Sequence, residues 1–489
     1  MSFDIDSTIF VGFLAFNLIL GLLSSRGIRT IKSYAVGDGD FSTATIVSTI
    51  VATWVSGEFF FTIIVESYTH GLFFIVVNLI GDFLGLVLIG IVFAPRMAEF
   101  LGKLSIAEAM GDLYGKKVRA ITAISGFIGV SGIIAIQLKI AGILFEQALG
   151  IPVVYGILLS GITITLYSSL GGIKSVTFTD IVQFFAFGVV IPTIAYFLFS
   201  TIENNQIIID ALTNNPLFDY SVVFSFSNPK IYYYFSIFFW IAIPAFNPAI
   251  FQRIAMARDV KQVRYSFIIA SIVCLILAVI LLWISILILS LYPNIKEDEI
   301  LHFIISDYTW ITGFKGIILA GIMAMVMSAT DSYINSSSVL LVHDLRESLS
   351  VGFIKNELFV TRICSMLIGA IAILFAMRSG GFMQLFIWAS MFYMPVVTVP
   401  FIMSIFGFRS SSKSVLIGMS AGITVSMIWE LFFKVDMMEV GGLIPGMLAN
   451  LTFLIGSHYL LKQPGGWIKI DSTQQNSSVL KKNGDSKRY

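Results

Sequence analysis

Charged residues are scarce in this sequence, and so are the residue types that would indicate a disulfide-bonded module or a metalloenzyme. Lys, Arg, Asp and Glu make up 12% of the 489 residues, against about 25% in soluble domains, which excludes an ordinary soluble protein. The two cysteines, Cys274 and Cys364, lie in apolar runs, where a buried thiol is favoured over a disulfide. The four histidines form no HExxH or other paired-ligand spacing, so we expect neither an enzyme nor an organic cofactor.

Apolar residues dominate instead. Hydrophobic residues make up 57% of the chain and the mean hydropathy is +0.91, values typical of an integral membrane protein. Long apolar runs recur from end to end, which favours helices over a β-barrel, whose strands alternate in segments of about ten residues. The 40 glycines fit close packing of helices in lipid. The sequence therefore predicts an all-α, polytopic membrane protein.

We predict about thirteen transmembrane helices, centred near residues 16, 53, 83, 133, 161, 189, 242, 279, 325, 367, 395, 424 and 451. Most of the 30 Lys and Arg residues fall in alternate loops, including residues 96–119, 253–264 and 346–362. Because cytoplasmic loops carry an excess of basic residues, this pattern predicts an outside N-terminus and a cytoplasmic C-terminus. Asp4 and Asp6 precede the first apolar run and no basic residue does, so we interpret this run as a retained span and not as a cleaved signal peptide.

Two of the predicted spans are interrupted near their middle. The second span contains Ser56, Gly57 and Glu58 in an otherwise apolar helix, and the seventh contains Pro244 and Pro248. Irregular backbone at membrane depth is tolerated where it is buried in protein or lines a cavity, and a pair of broken helices points to a transport site. The alternative is that each span is only a kinked helix.

A polar stripe runs through the ninth predicted span. Ser328, Asp331, Ser332 and Asn335 are separated by three, four and seven residues, so they lie on one face of a helix. A carboxylate is costly to bury in hydrocarbon. An intramembrane Asp is therefore by default a hypothesis about an ion, a proton or a substrate.

Several motifs resemble those of the sodium/solute symporter family. One motif is similar to the family's signature at the start of core helix 5 and comprises Tyr167, Gly171, Gly172, Ile173, Lys174, Ser175, Val176, Thr179, Asp180 and Gln183. Three further stretches agree with the family, namely residues 104–115 (LSIAEAMGDLYG), 251–253 (FQR) and 328–344. The resemblance spans roughly residues 8–460, and it implies a protein of the bacterial inner (plasma) membrane.

The resemblance implies a LeuT-like fold, in which two sets of five helices form an inverted repeat. The repeats would cover about residues 42–201 and 231–407, with one extra helix before them and two after. All of these helices would lie in a membrane domain of residues 1–462. The polar residues 463–489, which end in a basic cluster, are predicted to form a disordered cytoplasmic tail.

The resemblance also implies a principal cation site. The family's principal sodium site maps onto the backbone carbonyls of Ala52, Val55 and Met325 and onto the hydroxyl of Ser328. The next family position is usually a hydroxyl residue, but it is Ala329 here. A methyl group supplies no ligand for a hard cation, so this departure weakens the principal site.

A second cation site, present in some family members, maps onto Asp180, Ser328, Asp331 and Ser332. If Asp180 and Asp331 face each other, repulsion between the carboxylates makes one of them bind a proton or hold a cation. We therefore expect ion coupling to depend on this pair. The alternative is that Asp331 hydrogen-bonds within its own helix, to Asn335 and Ser336, and that Asp180 supports a loop.

Solute-binding candidates lie on the helices that the family uses for its substrates: Trp54, Glu58, Phe59, Asp82, Gln137, Lys139, Phe246, Asn247, Gln384 and Trp388. Lys139 is unusual because it lies in an apolar run. It either neutralises Asp82 or Glu58, holds a substrate carboxylate, or snorkels to an interface. An acid and a base near one cavity would suit an amino acid or another zwitterion, while sugars and organic acids stay open.

The predicted function is secondary active transport, in which a small polar solute (an amino acid, organic acid or sugar) moves in symport with a cation by alternating access. Sodium is the expected cation and a proton is the alternative. A proton-coupled or uncoupled carrier, a transporter-like sensor and a channel are the other possibilities. The expected partners are the solute, the cation and lipid, without nucleic acid, and a monomer is adequate.

Overall fold

The computed structural model describes residues 4–228, 230–306, 312–349, 356–377, 389–433 and 441–468. These residues are mostly helical, as expected for apolar segments that must satisfy their own backbone hydrogen bonds in lipid. Within them, nine helices are long and apolar enough to cross a membrane, and one bent pair of helices makes a tenth candidate span. These figures do not confirm the predicted count of thirteen.

The helices in chain order are α1 (Ile5–Ser24), α2 (Ile31–Ala35), α3 (Thr43–Trp54), α4 (Gly57–His70), α5 (Leu72–Leu88), α6 (Ile106–Tyr114), α7 (Lys116–Leu149), α8 (Val153–Ser200), α9 (Gln206–Thr213), α10 (Tyr220–Val223), α11 (Ile231–Ala242), α12 (Pro248–Ala255), α13 (Val260–Leu291), α14 (Glu297–Ser306), α15 (Phe314–Val339), α16 (Leu345–Leu349), α17 (Glu357–Ala376), α18 (Ala389–Ile405), α19 (Ser412–Ile428) and α20 (Leu443–Leu460). Short 3₁₀ or π-helical segments are Ile89–Phe93, Ala94–Arg96, Ala98–Phe100, Pro216–Phe218, Leu340–Asp344, Met394–Thr398 and Trp429–Phe433.

The first break separates α3 from α4. The axes of the two helices differ by 53°, and Val55 and Ser56 lie between them. The Ser56 hydroxyl caps α4 by accepting the backbone N–H of Phe59 at 3.1 Å, as hydroxyl residues commonly do at a helix N-terminus. The interruption leaves carbonyl groups at the end of α3 without their usual helical donors.

The second break separates α11 from α12. The backbone between Ala242 and Pro248 is not helical, and Phe246 has a φ of 49°. Pro248 suits the first turn of α12, because it lacks an N–H and has a fixed φ. Asn247 caps this helix by accepting the N–H of Ile250 at 2.9 Å. Both interruptions predicted from the sequence are therefore present.

Helix α8 contains two of the predicted spans. It has 48 residues, or about 72 Å at the usual rise, which is far more than one membrane thickness. Gly172 divides it, with a φ of 52° and a ψ of −161°. A β-carbon at this position would lie 2.8 Å from the carbonyl oxygen of Tyr34 in α2. The positive φ and the close approach together explain the second glycine of the Gly-Gly motif.

Helix α15 lies at the centre of the helix bundle. In its most apolar window, 94% of the residues are buried inside the protein, compared with 28% for α1. It packs against α1, α3, α7, α8 and α17. The four stripe residues Ser328, Asp331, Ser332 and Asn335 are all 0% exposed. The polar stripe therefore faces protein and not lipid.

The start of the predicted disordered tail is ordered, which corrects that prediction. Strand β2 (Gly466–Trp467) pairs antiparallel with strand β1 (Phe408–Arg409), and the ring of Trp467 lies 5.2 Å from that of Phe408. Two paired residues are too few to give an alternating pattern, so the sequence carries no strand signal here. The rest of the predicted tail, residues 469–489, lies outside the described residues.

Replacing Gly172 with alanine is expected to lower stability by at least about 1–2 kcal/mol. The fold would hold the alanine at an unfavourable positive φ, and its methyl group would clash with Tyr34. The midpoint of thermal unfolding in detergent measures this loss. Gly188→Ala, in the same helix, is the matched control, since no atom lies within 4 Å of its β-carbon position. Equal changes in the two variants would contradict the role given to Gly172.

Candidate functional site

Both helix breaks face one cavity of about 490 Å³, a volume typical of a small-molecule site. Tyr333 of α15 and Tyr393 of α18 form part of its wall. Residues of α18 also hold the unwound backbone of the second break. Tyr393 donates to the carbonyl of Phe246 at 2.6 Å, and Thr398 donates to the carbonyl of Ala245 at 2.8 Å. The irregular backbone is thus satisfied by protein at the edge of a cavity.

Most of the predicted solute-binding residues line this cavity, namely Trp54, Glu58, Phe59, Asp82, Phe246 and Asn247. Gln137 and Lys139, both on α7, do not line it. Gln137 is fully buried close to Gly57 of the first break, and Lys139 is turned about 200° away from it around the helix. Gln384 and Trp388 lie outside the described residues.

Two carboxylates face the cavity, Glu58 from α4 and Asp82 from α5. Their charges are close enough to repel each other. Trp54 and Asn78 lie within hydrogen-bonding reach of Asp82. The suggested neutralisation of these carboxylates by Lys139 stays a prediction.

The predicted principal cation site brings its oxygen atoms together at the first break. The hydroxyl of Ser328 donates to the carbonyl of Ala52 at 2.7 Å, and the Met325 carbonyl oxygen lies 3.0 Å from the same hydroxyl. Val55 is the buried C-cap of α3, three residues after Ala52 in the chain. The end of α3 and the middle of α15 thus meet through oxygen atoms of the kind that hard cations bind.

The hydroxyl that is missing at Ala329 is not supplied by the next residue. Ala329 is fully buried and carries only a methyl group. The neighbouring Thr330 donates its hydroxyl to the carbonyl of Val326 at 2.6 Å, within α15. The residues of this region therefore place one side-chain hydroxyl, and not two, at the predicted principal site.

Asp331 is held by side chains of α8. One of its carboxylate oxygens accepts from the hydroxyl of Tyr167 at 3.0 Å and from that of Thr179 at 3.3 Å. Asn335 and Ser336, the alternative partners within α15, make other hydrogen bonds. The alternative of a purely intrahelical role for Asp331 is therefore wrong.

Asp180 of α8 is paired with Arg253 of α12. Nη2 of Arg253 lies 3.2 Å from Oδ2 of Asp180, and both side chains are 0% exposed. The same nitrogen lies 3.0 Å from the hydroxyl of Thr49 and 2.5 Å from that of Ser332. Thr49 donates in turn to Asp180. One guanidinium group therefore joins α3, α8, α12 and α15.

The position of Arg253 corrects the prediction that it belongs to a cytoplasmic loop. Helix α12 continues the broken seventh span beyond Pro248 and carries Arg253 into the protein. Hydropathy does not distinguish the second half of a broken span from a loop, because the half-helix is short. The FQR motif was the available signal. Tyr167 likewise belongs to the motif at the start of core helix 5, but the sequence gives no indication of its role.

Asp180, Asp331 and Arg253 form a buried charge cluster with a formal charge of −1, since two carboxylates face one guanidinium. Oδ1 of Asp180 has no hydrogen-bond partner, and the hydroxyl of Ser332 lies 3.5 Å from Oδ1 of Asp331. Burying an uncompensated charge is costly, so this cluster calls for one more positive charge. A proton or a bound cation would supply it.

Ion pairs gather in the regions predicted to be cytoplasmic. They join Lys174 to Asp38 at 2.6 Å, Arg119 to Asp344 at 2.8 Å and Arg346 to Glu357 at 3.2 Å. Lys103 pairs with Asp112 nearby. Burial lowers the pKa of Lys103, but the hydrogen bond and charge of Asp112 outweigh this and raise it. Asp38 precedes α3, whereas the cavity residue Glu66 lies near the end of α4. The cavity therefore extends toward the end of this span that lies away from these ion pairs.

Residues 34–422 match the sequence profile of the sodium:solute symporter family. The chain is 24% identical to the sodium/glucose cotransporter of Vibrio parahaemolyticus over 86% of its own length and 84% of the relative. It is 22% identical to the sodium/pantothenate symporter of Escherichia coli (strain K12) over 88% and 90%. A substrate-bound, Na+-coupled sialic acid symporter shares its fold with a TM-score of 0.81 at 18% identity, covering 95% of this chain and 99% of that one. These findings confirm the predicted fold class.

Arg253→Gln is expected to destabilise the protein by about 3–5 kcal/mol, because it leaves two buried carboxylates without their guanidinium. Asp180→Asn is the comparison, and it should cost clearly less, because Arg253 would then balance Asp331. Thermal unfolding in detergent without sodium measures both. Equal losses in the two variants would show that the charge balance described here does not hold.

Proposed function

Because the chain belongs to the sodium:solute symporter family, we propose that it moves a small polar solute across a membrane in symport with sodium. The relatives described above are transporters and not enzymes, and their names give sodium as the coupled ion. Secondary active transport of this kind needs a cation site and a solute site that are coupled, so that occupancy of one changes the affinity of the other. The first break supports such an arrangement, because the same short segment borders both.

One observation carries the proposal. The Ser328 hydroxyl joins the end of α3 to α15 beside a buried charge cluster that lacks one positive charge. Unwound carbonyls and hydroxyls at a broken helix are the groups that coordinate a transported cation in this class of fold. We propose that Ala52, Val55, Met325 and Ser328 form the principal site and that Asp180, Asp331, Ser328 and Ser332 form the second.

Asp331 and Asp180 are proposed to carry most of the coupling. The principal site has a methyl group at Ala329 where a second hydroxyl would stand, so its cation has fewer ligands. The charge cluster, in contrast, attracts a cation by its net charge as well as by its oxygen atoms. A proton is the second candidate for the coupling ion. The missing hydroxyl at Ala329 is the observation that supports it, because a proton needs fewer ligands than sodium.

Alternating access is proposed to follow from the two ends of the bundle. The cavity extends to Glu66, near the end of α4, whereas ion pairs such as Arg119 with Asp344 lie toward the other end of the bundle. In the orientation predicted from the basic loops, the cavity faces the outside of a bacterial inner membrane, with the N-terminus outside. A channel has no need of two broken helices around one site, and a monomer contains both proposed sites.

Asp331→Asn is expected to abolish, or weaken at least about tenfold, the stabilisation of the protein by its coupling ion, since Asp180 and Arg253 then form a neutral pair. Unfolding temperature is measured against sodium at constant ionic strength, with potassium as replacement, and against pH. Asp210→Asn removes an exposed carboxylate outside both sites and serves as the control. Wild-type dependence on both sodium and pH in Asp331→Asn would contradict the coupling role.

Ala329→Ser is expected to raise the apparent sodium affinity about fivefold, because one added oxygen ligand contributes about 1 kcal/mol. The same sodium titration measures it. Ala320→Ser is the matched control, as residue 320 lies on the opposite face of α15. If serine at 329 leaves sodium affinity unchanged, sodium does not bind at the proposed principal site.

A further inference from the structure

The solute cavity has a charge that its walls do not balance. Glu58 and Asp82 both face it, and none of the described residues that line it is Lys, Arg or His. Glu66 also lines the cavity but is already close to a base, since its carboxylate lies 3.3 Å from Nε2 of His70. The chamber therefore holds two carboxylates without a basic partner among these residues. Such a site attracts positive charge and repels anions.

Unsatisfied hydrogen-bonding atoms in the same wall give an independent indication. Asn78 lines the cavity and is only 5% exposed, yet its amide oxygen has no hydrogen-bond partner. Oδ2 of Asp82 is also buried without a partner. Both atoms are acceptors, and an unpaired buried acceptor is costly. A ligand that fits here must bring hydrogen-bond donors.

Aromatic side chains complete the chamber. Trp54, Phe59, Tyr333 and Tyr393 all line it. The faces of aromatic rings attract cations, most strongly where water is excluded. Rings alone would suit any apolar ligand, but rings beside two carboxylates favour a positively charged one.

The groups that would hold an anion are already engaged. The N-terminus of α4 is capped by Ser56 and has Glu58 in its first turn. The N-terminus of α12 is capped by Asn247 and begins with Pro248, which has no N–H. These half-helix ends are the places where an anionic group would otherwise bind. Lys139 does not line the cavity, so the carboxylate clamp suggested for it has no support here.

We infer that the transported solute is a small organic amine with a net positive charge, whose ammonium group binds Asp82 and Asn78 with Glu58 nearby. This inference rests on the proposed function, since it names the class of solute for that cavity. It replaces the expectation of a zwitterion. The alternative use of Glu58 and Asp82, as groups that carry protons while a neutral solute binds, is tested in the same experiment.

The test measures binding to the purified full-length protein by calorimetry and by thermal shift. Three amines are each compared with a neutral alcohol of similar shape: putrescine with 1,4-butanediol, tyramine with tyrosol, and agmatine with (4-hydroxybutyl)urea. Succinate and glycine represent anions and zwitterions. Every measurement is made in sodium and again in potassium at equal ionic strength.

We expect at least one amine to bind saturably while its alcohol partner does not. Asp82→Asn and Glu58→Gln should each weaken the binding of that amine at least about tenfold, which is the effect of losing one charge-assisted contact. Asp210→Asn should bind the amine as the wild type does. The two cavity variants keep the shape of the side chain, and retained stabilisation by sodium would show that they are folded.

Three results would overturn the inference. These are the absence of binding by every amine, equal binding of amine and alcohol, and binding that requires a carboxylate on the solute. Unchanged amine affinity in both cavity variants would also overturn it and would leave proton transfer as the role of the acids. The proposed function is judged separately. Amine binding with no effect of sodium or pH would contradict symport but leave the solute class standing.

Discussion

The pairing of Arg253 with Asp180 is the interaction on which the rest of the structure depends. A guanidinium with no exposed surface must be matched by acceptors, and Asp180, Thr49 and Ser332 provide them from three other helices. The adjacent Gln252 extends the contact by donating to Asn335 at 2.7 Å. The second half of the broken α11–α12 span is therefore bound to α3, α8 and α15 by polar contacts that require a specific arrangement. A shift of α12 alone would leave a buried charge unpaired.

The same pairing suggests how the proposed coupling ion would govern conformation. Arg253 balances one carboxylate and leaves the charge of the other uncompensated. A cation or proton that neutralises the cluster stabilises the arrangement in which Asp331, Asp180 and Arg253 lie together. An ion shifts a conformational equilibrium only by the difference in its affinity for the two states. A cluster that is compact in one state and pulled apart in another provides that difference, because its separated oxygen atoms would no longer share one ion.

The sequence predicted the features that local chemistry determines. Ser56 with Gly57, and Pro248 with its capping neighbour, mark the two breaks because their backbone preferences act within a few residues. The spacing of Asp331 within the stripe placed it on the buried face of α15. The partners of these groups were harder to predict, because Arg253 and Tyr167 are far from Asp331 along the chain. Lys139 was assigned to the cavity from its cost alone, but its rotation around α7 is set by packing that no local pattern reveals.

The end of α3 connects the two proposed sites. The hydroxyl of Thr53 lies 3.2 Å from that of Ser332, which adjoins the charge cluster. The next residue, Trp54, lines the cavity together with Asp82. Consecutive residues project about 100° apart, so one turn of helix borders both sites. A solute that shifts the backbone of this turn at Trp54 would therefore also shift the Ala52 carbonyl and the contact of Thr53.

The charges of the two sites act in the same direction. The cavity and the cluster together hold four carboxylates, Glu58, Asp82, Asp180 and Asp331, against the single guanidinium of Arg253. This excess allows a cationic solute and a cation to be bound at once in spite of their mutual repulsion. Each positive charge that crosses toward a negative interior gains about 2.3 kcal/mol per 100 mV. With an amine as solute, the membrane potential would then drive the solute itself as well as its coupling ion.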